Sequence, residues 1–323
     1  MPLDLDTPAP GEPTPATLGG RDPLSVIRRY VRATRPMFLT ASILPVLVGT
    51  SWGYRAAGEL DLSALLWAIA AIACVHAAVN VLNDVFDDLG GSDRANFGRI
   101  YPYTGGSRFI QNGVLSIRAM AVWGVVLLLL GGLFGAVLML EKGAPVLWFG
   151  LAGVALGVLY SAPPVQLSAR GLGEAAVGMG FGLLPVVGAA WLQSPDAALS
   201  ALLPSVPVAC WAMAILLINE VPDQAADAAA GKRTLVVRLG LARTAALYVL
   251  LQLLALIAIA AAVGLNWLPL AALVVPPVLL LAAIHAGLGL GAGQRRLKRS
   301  IELTLMIHAL GGVWLVGWLL LPV

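Results

Sequence analysis

Nine long apolar stretches constrain the fold of this chain more than any other feature of its sequence. They cover residues 37–57, 62–86, 115–140, 144–160, 172–193, 198–219, 241–264, 267–291 and 301–321. A helix that crosses the hydrocarbon core of a bilayer needs about 20 mainly apolar residues. Hydrophobic residues make up 59% of the chain and charged residues only 11%, which is typical of a membrane protein and not of a soluble domain. We therefore expect an all-α integral membrane protein with about nine transmembrane helices in a single bundle.

The distribution of basic residues predicts how these helices are oriented. With a cytoplasmic amino terminus, 18 of the 20 lysines and arginines lie on the cytoplasmic side, and only Arg55 and Lys142 lie on the other. This asymmetry is the positive-inside pattern of multi-pass membrane proteins. It also accounts for the net charge of +3 without a nucleic-acid partner. The sequence predicts a protein of the cell (inner) membrane whose amino terminus and long loops are cytoplasmic.

The amino-terminal segment differs in composition from the rest of the chain. Residues 1–22 are rich in Pro, Ala, Thr and Gly and lack the pattern of a signal peptide, so we expect a disordered tail. Residues 23–36 combine four arginines with apolar residues at helical spacing, which indicates an amphipathic segment on the membrane surface. The membrane-embedded domain is expected to span residues 23–323. Cys74 and Cys210 lie within apolar runs and are interpreted as reduced, packed thiols.

Two clusters of polar residues end the second and the sixth apolar stretch. The first contains Asn80, Asn83, Asp84, Asp87 and Asp88, and the second contains Asn219, Asp223 and Asp227. Residues three or four positions apart share one face of a helix, so each cluster forms a stripe. Pro222 lies inside the second cluster and predicts a kink or a restart of the helix.

These clusters favour a site for a metal and a phosphate. Carboxylates at a helix carboxyl terminus oppose the helix dipole, so simple solvated helix ends are an unfavourable interpretation. Oxygen ligands suit Mg²⁺, which typically joins one or two carboxylates to substrate phosphates. Neither cluster is a closed cage, and the expected metal ligands are Asp84, Asp87, Asp223 and Asp227, with Asn83, Asp88 and Asn219 as further candidates. The cations expected to bind phosphate are Arg94, Arg108, Arg170, Lys232 and Arg233.

The residues in and around the two clusters resemble the UbiA superfamily of intramembrane prenyltransferases. Asn83, Asp84 and Asp87 match its NDxxD motif, and Asp223 and Asp227 match its DxxxD motif. Three further segments are similar to the family: 35–49 at the first helix, 160–164 after the fourth, and 231–235 after the second motif. The first-helix run and the 231–235 segment most resemble the 1,4-dihydroxy-2-naphthoate polyprenyltransferases of menaquinone synthesis.

The resemblance implies a reaction and a site. It implies Mg²⁺-dependent transfer of a polyprenyl group from its diphosphate to an aromatic acceptor in the membrane, at a cavity on the cytoplasmic side. The acceptor is expected to be 1,4-dihydroxy-2-naphthoate, with decarboxylation. Asn80, Asn83 and Tyr160 are expected to bind substrate, and Phe86, Tyr103 or Tyr160 could stabilise an allylic cation through the ring face. His76 is a candidate proton acceptor or a buried packing residue.

Other functions stay open at this point. The acceptor could instead be 4-hydroxybenzoate, a chlorin or a lipid, because Val85 and the residues before Asp223 depart from the naphthoate branch. A secondary transporter also places charged residues in a helical bundle. A non-catalytic lipid-binding scaffold is the third alternative. The position of the acidic residues at helix ends beside basic loops favours a one-sided active site.

Overall fold

Long apolar helices dominate the part of the chain that the computed structural model describes, residues 8–321, and no strand occurs within that part. The helices are α1 (Pro23–Ala33), α2 (Thr40–Ala57), α3 (Leu62–Gly90), α4 (Ile117–Lys142), α5 (Pro145–Ser161), α6 (Gly173–Gln193), α7 (Leu202–Ala229), α8 (Leu235–Gly264), α9 (Val275–Gly287) and α10 (Gln294–Leu320). Short helical turns lie at Pro15–Leu18, Pro36–Phe38, Ser168–Arg170, Pro195–Ala197 and Leu270–Leu273.

The expected all-helical membrane fold is confirmed. Within residues 8–321, eight helical segments are long and apolar enough to cross a bilayer, and α5 is a ninth apolar helix of 17 residues. Each predicted span overlaps one of the helices α2–α10. The largest difference is α7, which ends at Ala229 and not near residue 219, because the polar residues of the second cluster continue the helix.

Two groups of helices enclose the site. In the first half α3 packs along α4 and beside α5, and in the second half α7 packs along α8 and α10. Helices α2 and α6 lie against each other between the groups. A Cβ atom added at Gly49 or Gly53 would collide with the backbone carbonyl oxygens of Val186 and Ala190. Small residues therefore allow the close approach of α2 and α6, as is common between helices in membranes.

Helix α7 continues through Pro222, so the helix does not restart there. The helix runs from Leu202 to Ala229 with Pro222 inside it. Proline lacks one backbone donor, but Ile218 and Val221 next to it are buried in the core, and this packing holds the helix together. Asp223 and Asp227 consequently remain on one helical face.

The amino-terminal segment also differs from expectation. Residues 1–7 lie outside the described part, whereas residues 8–22 are not a free tail. The Glu12 carboxylate accepts hydrogen bonds from Arg99 Nε at 2.6 Å and from Asn112 Nδ2 at 3.1 Å. Leu18 is buried against Phe109 and its apolar neighbours. The composition suggested disorder, but one buried ion pair and one buried leucine bind this segment to the loop after α3.

Helix α1 occupies residues Pro23–Ala33 of the predicted surface segment. Its apolar side chains Leu24, Ile27 and Val31 share one face and are exposed in the protein alone. Asp22 caps its first turn by accepting from the backbone N–H of Ser25 at 3.0 Å. Contact of this face with the membrane surface stays a prediction.

Candidate active site

The first aspartate cluster lies in the last turns of α3. Asp84 is buried, and its Oδ2 accepts a hydrogen bond from the backbone N–H of Ser107 at 3.1 Å. Asp84 Oδ1 is also buried and has no hydrogen-bond partner among the described residues. Asp87, one turn further along, is half-buried and faces the interior of the bundle. The helical spacing thus presents two carboxylates on one side of α3, as the sequence predicts.

The second cluster lies on α7, opposite the first. Asp223 accepts hydrogen bonds from Asn96 Nδ2 at 2.6 Å and from the backbone N–H of Gly105 at 3.2 Å. Asp227 is buried one turn further along the helix. The donors to Asp223 come from the loop between α3 and α4, residues 91–116, which we call the α3–α4 loop. This loop therefore contacts both clusters.

Lys232 connects the two clusters. Its Nζ lies 2.6 Å from Asp87 Oδ1 and 3.6 Å from Asp227 Oδ1. Burial alone would lower the pKa of the Lys232 ammonium, but the charges of Asp87 and Asp227 outweigh burial and raise this pKa above its ordinary value. Lys232 is therefore a permanent cation between carboxylates of the two halves of the bundle.

Close backbone approach shapes the α3–α4 loop. Gly105 and Gly106 have φ angles of 74° and 73°, a left-handed conformation that favours glycine. A Cβ atom added at Gly106 would lie 2.5 Å from Asp93 Oδ2 and 3.0 Å from Asp84 Oδ1. Asp93 is buried there, and burial together with repulsion from Asp87 and Asp84 raises the pKa of its carboxyl well above the ordinary value. The loop thus brings a third carboxyl close to the first cluster.

A cavity of about 610 Å³ extends from this polar region into the bundle. Its apolar walls come from α3, α4, α5 and α6, and include Val75, Gly135, Leu156 and Phe181. The polar residues that line it are Arg35, His76, Asn80, Asn83, Asp87, Ser92, Asp93, Asn96, Tyr103, Thr104, Tyr160, Ser168, Asn219, Glu220, Asp223, Asp227, Lys232 and Thr234. Asp84 is covered by Gly106 and Ser107 at the edge of the cavity. A pocket with charged groups at one end and a long apolar remainder suits an amphiphilic ligand.

Four of the eight predicted substrate-binding residues line this cavity. Asn80 and Asn83 line it and donate to the backbone carbonyl of Thr34 at 3.0 Å and to Ser161 Oγ at 2.9 Å. Tyr160 and Lys232 line it as well.

Four predicted arginines and two predicted aspartates, Asp84 and Asp88, do not line the cavity. Arg94 forms an ion pair with Asp88 at 2.9 Å, and its side chain is 70% exposed on the far side of α3. Arg108 is buried and donates to the backbone carbonyl of Asp93. Arg170 and Arg233 are exposed beside the α5–α6 connection. Their position near the motifs in sequence does not determine the direction of their side chains.

Two cavity residues were missed by sequence reasoning as ligand-binding groups. Arg35 lines the cavity, donates from Nη2 to the carbonyl of Tyr103 at 3.0 Å, and places its guanidinium 4.8 Å from the centre of the Phe38 ring. Its position directly before Pro36, where the first membrane segment begins, was the available signal. Asn96 lies in the long α3–α4 loop, and no local pattern distinguishes it.

The candidate aromatic and proton-accepting residues have different surroundings. Tyr103 lines the cavity and donates to Glu302 at 3.2 Å. Phe86 does not line it. His76 Nδ1 lies 2.9 Å from Ser42 Oγ, and its ring packs edge-on against Phe181 with centroids 4.6 Å apart. These contacts favour the packing interpretation of His76.

The side chains at the polar end fit Mg²⁺ ions whose remaining ligands are phosphate oxygens. The atoms of these side chains that could bind a metal are oxygens, apart from the cationic groups, and oxygen is the ligand that Mg²⁺ prefers. Asp84 Oδ1 and Asn219 Oδ1 are buried without a partner in the described structure. Within residues 8–321, no group of three or more Asp, Glu, His or Cys side chains is close enough to hold a metal alone. Each aspartate pair is therefore an incomplete ligand set.

Comparison with known proteins identifies the relatives of this chain. The sequence profile of the UbiA prenyltransferase family matches residues 42–310. UbiA prenyltransferase domain-containing protein 1 of Gallus gallus is 30% identical over 227 residues, which cover 69% of this chain and 65% of that protein. 1,4-Dihydroxy-2-naphthoate octaprenyltransferase of Mycobacterium tuberculosis is 30% identical over 68% of this chain and 73% of that protein. The chain thus spans slightly less than two thirds of the chicken relative.

Solved structures share the fold. A UbiA homolog from Archaeoglobus fulgidus bound to DMAPP and Mg²⁺ superposes with a TM-score of 0.62 at 17% identity, over 90% of this chain and 99% of that one. A UbiA homolog from Aeropyrum pernix K1 superposes with a TM-score of 0.63 at 17% identity, over 84% and 96%.

Proposed function

Because the chain belongs to the UbiA prenyltransferase family, we propose that it transfers a polyprenyl group from a prenyl diphosphate to an aromatic acceptor within the membrane. One observation carries this proposal. Asp87 and Asp227, one from each aspartate pair, meet through Lys232 at the polar end of a cavity whose remaining walls are apolar. A prenyl diphosphate has the same division into a charged head and an apolar tail.

The charged end of the cavity is the proposed diphosphate site. Asp84 and Asp87 would hold one Mg²⁺ ion, and Asp223 and Asp227 would hold another, with phosphate oxygens completing both sets. When bound, Mg²⁺ neutralises negative charge on the diphosphate as it leaves. Lys232 and Arg35 are the chain's own cations at this end of the cavity, and they bind the same oxygens.

The rest of the cavity protects the reacting carbon. Cleavage of the carbon–oxygen bond to the diphosphate leaves positive charge on an allylic carbon, and water would capture it. The apolar walls around Val75, Leu156 and Phe181 exclude water and hold the prenyl tail. Tyr160 and Tyr103 present aromatic rings to the same space, where a ring face stabilises a cation.

The proposed acceptor is 1,4-dihydroxy-2-naphthoate. An acceptor ring carbon forms the new carbon–carbon bond while the diphosphate departs, and the carboxyl group on that carbon leaves as CO₂. The relatives named 1,4-dihydroxy-2-naphthoate octaprenyltransferase support this acceptor, and menaquinone synthesis would be the consequent role. Other aromatic acceptors are the alternative. The cytoplasmic orientation of the site is proposed from the positive-inside distribution of the loops.

A transfer assay tests the proposal. Purified protein in lipid nanodiscs, with Mg²⁺, geranylgeranyl diphosphate and either 1,4-dihydroxy-2-naphthoate or 4-hydroxybenzoate, should form a prenylated ring and release pyrophosphate. Asp84→Ala and Asp223→Ala should abolish both products, whereas Asp196→Ala, at an exposed position between α6 and α7, should not. Full activity of both cluster variants would overturn the site. Ion-driven uptake into proteoliposomes without pyrophosphate release would instead favour a transporter.

A further inference from the structure

A second acidic pair lies at the cavity wall, and neither residue is among those assigned to the diphosphate site. Glu220 lies on α7, one helical turn before Asp223, and lines the cavity. Glu174 lies in the first turn of α6, which packs against α7, and it is near enough to Glu220 for the two carboxyls to interact electrostatically. Both residues are more than nine-tenths buried, at 2% exposure for Glu174 and 7% for Glu220.

The polar atoms of this pair have no partners. Both carboxyl oxygens of Glu174 and Oε2 of Glu220 lack hydrogen bonds within the described structure, and so does the neighbouring Asn219 Oδ1. Buried polar groups in native proteins are almost always hydrogen-bonded. A membrane interior makes an unsatisfied group still less favourable. Glu220 Oε2 belongs to the member of the pair that lines the cavity, so a bound ligand can bring a hydrogen-bond donor to it.

The chemistry of these atoms defines what they can bind. Carboxylate and amide oxygens accept hydrogen bonds, so the ligand must donate them. A diphosphate group offers acceptors and negative charge, and a prenyl tail offers neither donor nor acceptor. The acceptor ring of the proposed reaction carries hydroxyl groups, which are donors.

The walls of this corner suit a flat ring. Tyr160 and Leu216 line the same part of the cavity. A Cβ atom added at Gly173 would lie 3.4 Å from Leu216 Cδ2 and 3.5 Å from Tyr160 Cε2, so α6 approaches both side chains closely beside Glu174. An aromatic ring between Tyr160 and Leu216 would stack on one face and contact aliphatic carbon on the other.

We propose that Glu220, backed by Glu174, is the binding site for a hydroxyl group of the aromatic acceptor. The inference rests on the proposed function and adds to it the group that orients the acceptor. Glu220 contacts the hydroxyl directly. Glu174 does not line the cavity and acts as a positioning residue behind Glu220.

The test compares acceptors that can and cannot donate this hydrogen bond. Full-length protein with Mg²⁺ and geranylgeranyl diphosphate is assayed with whichever of 1,4-dihydroxy-2-naphthoate and 4-hydroxybenzoate it prenylates, and with the mono-O-methyl ethers of that compound. For the wild type, kcat/KM should be about tenfold or more higher for the acceptor with free hydroxyl groups than for its methyl ethers. Glu220→Gln should raise the acceptor KM and reduce this preference several-fold, while the KM for the prenyl diphosphate stays unchanged.

Two further variants separate binding from folding. Glu174→Gln should also reduce the preference for the free hydroxyl, but by a smaller factor. This variant replaces Glu220→Gln in the test if Glu220→Gln fails to fold. Glu141→Gln removes an exposed carboxylate at the far end of α4 and should change nothing. A purely structural pair would lower thermal stability in both cavity variants and leave the preference for the free hydroxyl intact, which would overturn the inference.

The outcomes distinguish this inference from the proposed function. If the wild type prenylates an acceptor and Glu220→Gln keeps the full preference for the free hydroxyl, only the acceptor site is wrong. If Glu220→Gln changes the Mg²⁺ requirement and not the acceptor KM, the residue belongs to the metal site and the inference fails. If the wild type prenylates no aromatic acceptor, the inference falls together with the proposed function.

Discussion

Lys232 Nζ lies 2.6 Å from Asp87 Oδ1, although 145 positions separate the two residues in the chain. This ion pair joins the end of α3 to the loop after α7, and so it joins the two halves of the proposed diphosphate site. Because both side chains are largely buried, the contact is shielded from solvent.

Removal of the Lys232 charge should impair the reaction far more than it impairs folding. Lys232→Met leaves Asp87 and Asp227 without their cation and removes a group that stabilises departing diphosphate. Loss of one such electrostatic contact typically costs about 100-fold in kcat. Pyrophosphate release measures this. The matched control is Arg233→Met, which removes an exposed cation one position further along, and equal losses in both variants would contradict the assignment.

Substitution of Gly106 should disturb the first aspartate cluster by steric collision, without removing any charged group. In Gly106→Ala the new Cβ would meet Asp93 and Asp84, in addition to the strain of a left-handed φ of 73°. The control is Gly113→Ala, with a φ of 69° and no atom within 4 Å of the added Cβ. Both variants should lose roughly 1–2 kcal/mol of stability from backbone strain. Only Gly106→Ala should also lose Mg²⁺-dependent binding of prenyl diphosphate, measured by calorimetry.

Arg35 should matter to diphosphate binding, and Arg94 should not. Charged hydrogen bonds contribute about 1.5–3 kcal/mol, so Arg35→Met should raise the KM for prenyl diphosphate roughly 10- to 100-fold. Arg94 is exposed and paired with Asp88 outside the cavity, and Arg94→Met should leave this KM within about twofold of the wild type. A larger rise in this KM for Arg94→Met than for Arg35→Met would instead support the prediction from sequence that Arg94 binds phosphate.

Acid should release the amino-terminal segment from the α3–α4 loop. Burial would raise the pKa of Glu12, but hydrogen bonds from Arg99 and Asn112 outweigh burial and hold the pKa below its ordinary value of 4.5. Because the pKa of Glu12 is lower in the folded state than in the unfolded state, the contact is fully stabilising at pH values above the unfolded-state pKa. This stabilisation is lost as the pH falls through the folded-state pKa. Proteolytic cleavage within residues 8–22 should therefore accelerate at acidic pH.

The control for this pH dependence is Glu12→Gln. Its ion pair with Arg99 is absent at every pH, so cleavage at neutral pH should already be faster than in the wild type and should change little on acidification. Arg99 also donates to the backbone carbonyl of Asn96, and the side-chain amide of Asn96 donates to Asp223. Weaker binding of prenyl diphosphate should therefore accompany the faster cleavage. A wild-type cleavage rate that is independent of pH would contradict the role of Glu12.

Local patterns predicted the features of this molecule that local physics determines. Apolar length located the membrane helices, and four-residue spacing placed Asp223 and Asp227 on one face, because both follow from helix geometry. Pro222 does not end α7, since the burial of Ile218 and Val221 offsets the missing backbone donor.

Long-range contacts were beyond the reach of the sequence. Nothing near Asn96 indicates that it donates to Asp223, which lies 127 positions further along. Arg94 follows the first motif directly and nevertheless faces away, because Asp88 on the outer side of α3 binds it. Glu12 lies in a segment with the composition of a disordered tail, and only its contact with Arg99 shows otherwise.

The central claim is that the aspartate pairs of α3 and α7 form one diphosphate site. A double-variant cycle of binding tests it most directly, with a non-hydrolysable prenyl thiolodiphosphate and Mg²⁺ titrated into the wild type, Asp87→Asn, Asp223→Asn and the double variant. We expect each single variant to lose nearly all Mg²⁺-dependent affinity, and the double variant to be no weaker than either single variant. Losses that simply add, or full affinity in either single variant, would contradict a shared site.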